Sequence, residues 1–442
     1  MVKKIIINKH VNSIAMPDNL KIGLMIAEHR IKCSVKGCNF DYFNFAFGQS
    51  PFHVPPPIVK SLSKNADKGH YSDAEGIPAL REAIVKFNKK YFGIKADPSR
   101  VVIGHGTKGM MYTIFNIIEG HIIIPSPSWI GYAPQAHLLG KKIHTMHLKK
   151  ENSYKIDLKD LNLVFKKLGR GKKQHILVLN NPHNPSGAVY TKKELIGIAN
   201  LCRRNNVLVL SDEIYALMTY NFKKFVSMGR IYPKGTFVTN GISKDRSSAG
   251  YRLGYCILPS TCCDEIKKDF KKVAATVYTN VSTPIQYAAI DGFNPNSEIE
   301  EYFKITRSIH RIIGICMSEA VGKIKGLCTT CPEGGFYFLI DFNKYKKELK
   351  KKGVINSNSL AKSMISHPHH IGLVTGDACM LRSNDFSARI AFVDYDGKRA
   401  FMGFKKNPPR SKKEELDFVK KYAPKIISGV AAISQYVNWL KE

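Results

Sequence analysis

Apolar runs of three or four residues recur through the first two thirds of the chain, and each breaks into small or polar residues. Val101-Val102-Ile103 runs into Gly104-His105-Gly106-Thr107, and Ile122-Ile123-Ile124 into Pro125-Ser126-Pro127-Ser128-Trp129. Ile176-Leu177-Val178-Leu179 runs into Asn180-Asn181-Pro182-His183-Asn184-Pro185-Ser186-Gly187, and Val207-Leu208-Val209-Leu210 into Ser211-Asp212-Glu213-Ile214-Tyr215. Two further runs, Thr236-Phe237-Val238-Thr239 and Cys256-Ile257-Leu258, enclose Gly241 to Tyr255. Continuous rather than alternating apolar character marks strands buried on both faces. Helix-length segments lie between them: Thr191 to Arg204 is one, and Ala79 to Phe92 carries Leu80, Ala83, Ile84 and Phe87 on one face. The pattern predicts an α/β fold with a mostly parallel sheet covered by helices on both faces, whose ligands bind beyond the carboxyl ends of the strands.

The pattern changes after about residue 295. A long helix is expected over Ile299 to Val321, then a strand at Gly334 to Ile340, a Lys-rich helix around Lys344 to Lys352, a strand at Ser387 to Val393 and a final helix from Glu414 to Leu440. These elements predict a smaller α/β domain. The expected division is an arm and part of the small domain over residues 1–60, a large ligand-binding domain over 61–298, and the small domain over 299–442. Residues 1 to about 45 read as an arm or irregular segment. Pro and Gly punctuate a loop from Phe47 to Pro57.

Composition adds one departure from the ordinary. Of 442 residues, 68 are Lys or Arg and 35 Asp or Glu, a formal charge of +33 that favours anionic ligands. The basic residues are dispersed in pairs and short runs, the pattern of solvated faces. No apolar run reaches the ~18–20 residues of a membrane span, and the N-terminal residues lack the apolar core of a signal peptide. The ten cysteines form no small-domain disulfide framework, and Cys328-Thr329-Thr330-Cys331 has no second pair or matching His pair, so no metal site is expected. A soluble cytoplasmic protein is the expectation.

The chemically distinctive residues lie just past the strand ends. In Gly241 to Tyr255, Lys244 follows Ser243, and Arg252 stands eight positions on. A Lys enclosed between strands loses solvation, which lowers its pKa toward the nucleophilic free amine, and an Arg beside it holds an anionic group.

The set Asn181-Pro182-His183-Asn184-Pro185-Ser186-Gly187, Ser211-Asp212-Glu213-Ile214-Tyr215 and Ser243-Lys244 with Arg252 closely resembles the fold-type-I, class I/II aminotransferases that use pyridoxal phosphate, from about Gly48 to Arg389. The resemblance implies that Lys244 carries pyridoxal 5'-phosphate as a Schiff base and moves the substrate proton. Asp212 pairs with the ring nitrogen, while Tyr215 and Asn184 bond the ring's phenolic oxygen. The phosphate falls to the amides of Gly106, Thr107 and Lys108 at a helix start, where free N–H groups and the dipole favour an anion, and to Ser243 and Arg252. Trp129 stacks on the ring, and Tyr71 reaches the partner's phosphate in a homodimer with shared active sites. Arg389 forks the substrate α-carboxylate, with the Gly48 loop above it and Asn184 beside it. Substrates are an amino acid and a 2-oxo acid in a ping-pong cycle.

Gly241 departs from the pattern, since relatives often carry a hydroxyl three residues before the Lys; Arg252 is then expected to carry more of the phosphate anchoring. Lys108 stands where a neutral side chain is frequent, and its side chain is expected in solvent. An elimination lyase or ring-forming synthase would use the same cofactor residues. A basic nucleic-acid-binding protein would use the +33 charge and leave the Lys, Asp, Tyr, Asn and Arg set without a role. Phe47, Phe52, Trp129 and Tyr132 are aromatic residues near the mouth, equally compatible with core packing and with a large apolar substrate.

Overall fold

The computed structural model describes residues 5–35, 42–169, 173–261, 263–366, 368 and 370–442. The first four residues and residues 36–41 of the expected arm lie outside them. Within the rest of that arm, Asp18–Val35 forms an 18-residue helix where an irregular segment was expected. Ile22 and Ile26, one turn apart, are buried in a cluster with Ala361, Ile365 and Val374, whereas Leu20, Leu24 and Ile31 are exposed. Apolar residues on both the covered and the open side blur the 3.6-residue period.

After the two-residue strand β1 (Phe43–Asn44), the strands of the main sheet follow in order: β2 (Val101–His105), β3 (Ile122–Ser126), β4 (Ile143–His147), β5 (Ile176–Asn180), β6 (Leu208–Asp212), β7 (Thr236–Gly241) and β8 (Leu253–Ile257). They stand side by side as β2-β8-β7-β6-β5-β3-β4. All pairings are parallel except those of β8, which runs antiparallel to both β2 and β7. The carboxyl ends of β2, β3, β5, β6 and β7 therefore share one edge with the start of β8. Alternate residues serve opposite faces: Ile123, Leu177 and Leu179 pack with Leu195 and Ile198 of helix Lys192–Arg204. Ile122, Ile124, Ile176 and Val178 pack with Met110, Met111 and Ile114 of helix Gly106–Ile117. The expected mostly parallel, doubly covered sheet is present. β4, an edge strand carrying His144, Thr145 and His147, was too polar to stand out as a buried run.

A second sheet has the order β12-β13-β10-β9, with β9 (Cys328–Thr329), β10 (Tyr337–Asp341), β12 (Val374–Thr375) and β13 (Ser387–Ala391), all antiparallel. β11 (Ile371–Gly372) pairs in parallel with β1. The long helix spans Ser297–Gly322. The Lys-rich helix is shorter than expected, Lys346–Lys351 after a 3-10 turn at Asn343–Tyr345. The expected final helix is two, Lys412–Tyr422 and Pro424–Lys441, because Pro424 has no N–H with which to continue the first.

Candidate active site

Three glycines build one end of the site. A Cβ on Gly254, at the start of β8, would lie 2.5 Å from the Gly106 carbonyl carbon and 2.6 Å from the Thr107 nitrogen. A Cβ on Gly241, at the end of β7, would lie 2.7 Å from the Leu253 oxygen and 2.9 Å from Gly254 Cα. The three segments approach as bare backbone, so Gly241 has no room for the hydroxyl side chain expected of relatives. Gly106 adopts φ +66°, and its missing Cβ would come within 2.7 Å of Arg252 Nη2. Helix Gly106–Ile117 begins there, and the amides of its first turn have no partner within the helix. The reversal of β8 brings Arg252 back to the edge that Lys244 leaves. Its φ of +53° lets the guanidinium bond the Ala249 carbonyl at 2.7 Å while facing Gly106.

Beside this cradle lies a cavity of about 600 Å³, lined by Gly48, Thr107, Lys108, Trp129, Asn184, Asp212, Tyr215, Ser243, Lys244, Arg252 and Arg389 among others. Lys244 Nζ donates to the Gly48 carbonyl at 2.7 Å. Burial, with Arg389 and Arg252 nearby, pulls this ammonium down to about 8, and Asp212 opposes the shift. Asp212, 4% exposed at the end of β6, accepts from the Tyr132 hydroxyl at 2.6 Å and from the Ile214 N–H at 3.3 Å. Burial raises its carboxyl to about 6, with the Tyr132 bond opposing. Asp212 is thus a carboxylate held in a dry site at neutral pH, at a cost that a cationic partner would offset. Tyr215 is buried, its hydroxyl 3.2 Å from that of Tyr337, and burial pushes its pKa well above the usual value.

At the opposite end Arg389, 3% exposed on β13, donates from Nη2 to the Ala46 carbonyl at 2.7 Å and from Nη1 to Asn184 Oδ1 at 3.4 Å. Its buried Nε has no partner among the described residues. A buried guanidinium at a cavity wall, held by two neutral acceptors, suits a carboxylate ligand. Asn184 is fixed in turn by a bond from its N–H to Asn180 Oδ1 at 2.7 Å.

Eleven of the thirteen residues expected at the site line the cavity, and Gly106 adjoins it through Arg252. Tyr71 does not: it is 84% exposed. Lys108, expected in solvent, has an exposed side chain whose ammonium lies 5.4 Å from the centre of the Trp129 ring at the cavity wall. Although the residue as a whole is exposed, partial desolvation of its ammonium at that wall, with Arg252 nearby, lowers its pKa. Trp129 stands edge-on to Tyr132, with ring centroids 5.0 Å apart. Sequence reasoning missed Tyr132 as a partner of Asp212, Tyr337 altogether, and Pro17 and Leu20 of the N-terminal segment, which also line the cavity. No local signal marks Tyr337, which reads as one more aromatic in a buried strand.

The family model for aminotransferases of class I and II matches residues 41–394. The chain is 30% identical over 341 residues to an aspartate aminotransferase of a Bacillus species, covering 75% of this chain and 83% of that one. It is 29% identical over 354 residues to an asparagine–oxo-acid transaminase of Streptococcus mutans, covering 78% and 86%. Among solved structures, aspartate aminotransferase from Thermus thermophilus with maleate superposes with a TM-score of 0.78 at 20% identity, covering 97% of this chain and all of that one. The aromatic aminotransferase from Pyrococcus horikoshii gives 0.74 at 24% identity, covering 91% and 97%. The chain belongs to the class I and II aminotransferases, and it is an aminotransferase with the fold-type-I architecture of that family. No described helix is long and apolar enough to cross a membrane.

Proposed function

We propose that the chain binds pyridoxal 5'-phosphate with Lys244 as its covalent attachment point. It would transfer an amino group between an amino acid and a 2-oxo acid in a ping-pong cycle. The observation that carries this reading is the enclosure of an amine lowered to about 8 and a buried carboxylate in one cavity whose two ends hold Arg252 and Arg389. The residues fit the cofactor and its substrate: bare glycine backbone at a helix start for a phosphate, an ionised Asp212 for a ring nitrogen, and the Arg389 guanidinium at the cavity wall for a substrate carboxylate. When bound, this cofactor supplies an electrophilic carbon for the amino group and an electron-withdrawing ring.

The chain's own residues do the rest. With a pKa of about 8, roughly a tenth of Lys244 is free amine at pH 7, against about one part in several thousand for an ordinary Lys. Its Nζ is positioned by Gly48 and serves as the base that takes the substrate's α-proton and returns it. Asp212 is mostly ionised at pH 7 and would favour a protonated ring nitrogen by its charge. Arg389 orients the substrate through its carboxylate, and Asn184 and Tyr337 hold that guanidinium.

Charge favours a dicarboxylic substrate. The cavity wall carries Lys108, Lys244, Arg252 and Arg389 against a single carboxylate, Asp212. A phosphate beside Arg252 and an α-carboxylate beside Arg389 leave Lys108 for a further anionic group, consistent with relatives named for aspartate. Tyr71, exposed and outside the cavity, supports a homodimer in which it is covered by, and reaches into, the partner's site. Seven of the ten cysteines are free thiols, which supports a reducing, cytoplasmic location.

Purified protein given pyridoxal phosphate is expected to turn yellow, and borohydride to fix the cofactor to Lys244. Lys244→Ala should abolish that linkage and lower turnover by roughly 10⁴-fold. Aspartate should yield its oxo acid only when an acceptor oxo acid is present. Acceptor-independent release of ammonia would sink transamination.

A further inference from the structure

Tyr337 touches both functional ends of the cavity. It lies on β10, next to β13, where Leu339 is the register partner of Arg389. Its ring covers one face of the Arg389 guanidinium, 4.5 Å from the ring centre to Cζ. Its hydroxyl accepts from Tyr215 at 3.2 Å and donates, at 3.4 Å, to the same Gly48 carbonyl that holds Lys244 Nζ at 2.7 Å. A Cβ on Gly48 would lie 1.7 Å from the Tyr337 hydroxyl, so that loop is glycine because this tyrosine stands beneath it. The phenol is 3% exposed and belongs to the same buried cluster as Tyr215 and Phe336.

These contacts divide into two roles within one side chain. The ring is a flat wall: with Ala46 on Nη2 and Asn184 on Nη1, it holds the guanidinium plane at the cavity wall. The hydroxyl is a competing acceptor for the one proton that Tyr215 can donate. We propose that Tyr337 is a positioning residue for transamination, its ring holding Arg389 in the plane that receives a substrate carboxylate and its hydroxyl regulating how strongly Tyr215 can donate toward the cofactor's phenolic oxygen. The proposal rests on the cofactor reading above.

The two roles separate by substitution in the cofactor-loaded enzyme. Tyr337→Phe keeps the ring and removes the hydroxyl. It should leave the Kd for maleate, a dicarboxylate with no amino or oxo group to react, within about twofold of wild type. Freed of its competing acceptor, Tyr215 donates fully to the phenolic oxygen, withdrawing electron density, and the pH midpoint of the visible absorbance should fall by about half a unit. Tyr337→Leu removes the ring as well and should weaken maleate by about tenfold, raising KM for the amino acid more than it lowers kcat. Tyr337→Met serves the same purpose if the leucine variant does not fold. An unmoved or raised midpoint in the Phe variant, or maleate affinity lost equally in both variants or in neither, overturns the proposal. A wild-type protein that takes up no pyridoxal phosphate overturns the cofactor reading and this proposal with it, whereas a loaded wild type with unresponsive variants overturns the proposal alone.

Discussion

The two ends of the cavity bind anions by opposite means. The Gly106 end is made mostly of backbone: three glycines, the first turn of a helix, and an arginine held in a left-handed conformation between the 3-10 turn Ala249–Tyr251 and β8. The Arg389 end is made mostly of side chains brought from distant segments: Asn184, Tyr337 and the Ala46 carbonyl meet around the Arg389 guanidinium. The first tolerates changes in neighbouring side chains but no added Cβ. The second depends on the guanidinium and on the groups that hold its plane. A dianion that never leaves is met by fixed dipoles, which require no reordering; a carboxylate that must enter and depart is met by a fork whose plane can be tuned.

Arg389→Ala tests the side-chain end and carries the largest effect. Truncating a buried charge that pairs with a ligand costs about 4 kcal/mol, so KM for the amino acid is expected to rise by roughly 10³-fold. Cofactor uptake, which belongs to the other end, should be unchanged when measured by absorbance titration. Loss of cofactor uptake in this variant would mean that the two ends are not independent.

Gly254→Ala tests the backbone end. Its methyl would meet main-chain atoms at 2.5 and 2.6 Å, which cannot rotate away. Overpacking of this kind costs about 2–3 kcal/mol. The expected result is a lower urea midpoint and pyridoxal phosphate affinity weakened by about 10²-fold, with maleate affinity of the residual loaded enzyme near wild type. Unaltered cofactor affinity would break the contrast drawn between the ends.

Asp212 lies between the two and gives the smallest effect. Its folded pKa, about 6, exceeds its ordinary value of 3.8. Below pH 3.8 both states are protonated. Between 3.8 and 6 the folded protein binds the extra proton, so stability falls as pH rises and the penalty is complete above 6. The shift of about two units sets an upper limit of roughly 3 kcal/mol. An amide also leaves Lys244 without its neighbouring carboxylate, so a net gain of about 1–2 kcal/mol is expected for the Asp212→Asn apoprotein at pH 7 and almost none at pH 4. Urea unfolding at the two pH values measures it. A stabilised but inactive Asp212→Asn would mark this carboxylate as a functional strain rather than a structural element.

The residues at and just past the strand ends were the more legible from sequence. Lys244, Asp212, Tyr215, Asn184, Ser243 and Arg252 sit at the ends of strands whose apolar runs announce themselves, and a parallel sheet must bring those ends to one edge. Helix Asp18–Val35 was not legible, because its buried positions Ile22 and Ile26 alternate with exposed apolar ones and only packing on Ile365 and Val374 distinguishes them. The division into a large domain over 61–298 flanked by the remainder stays a proposal from pattern alone.

Spacing and short motifs determined the buried strands of the main sheet, the order in which reactive residues leave them, and the family to which the chain belongs, since these depend on local periodicity. Tertiary structure decided the rest. Only the antiparallel course of β8 explains why an arginine eight residues past Lys244 returns to the same edge. Only the contact of Gly241 with Gly254 and of Gly254 with Gly106 explains the missing hydroxyl. Only the pairing of β10 with β13 reveals that Tyr337 lies on Arg389, because register across strands is fixed by packing between distant segments and leaves no trace in either segment alone.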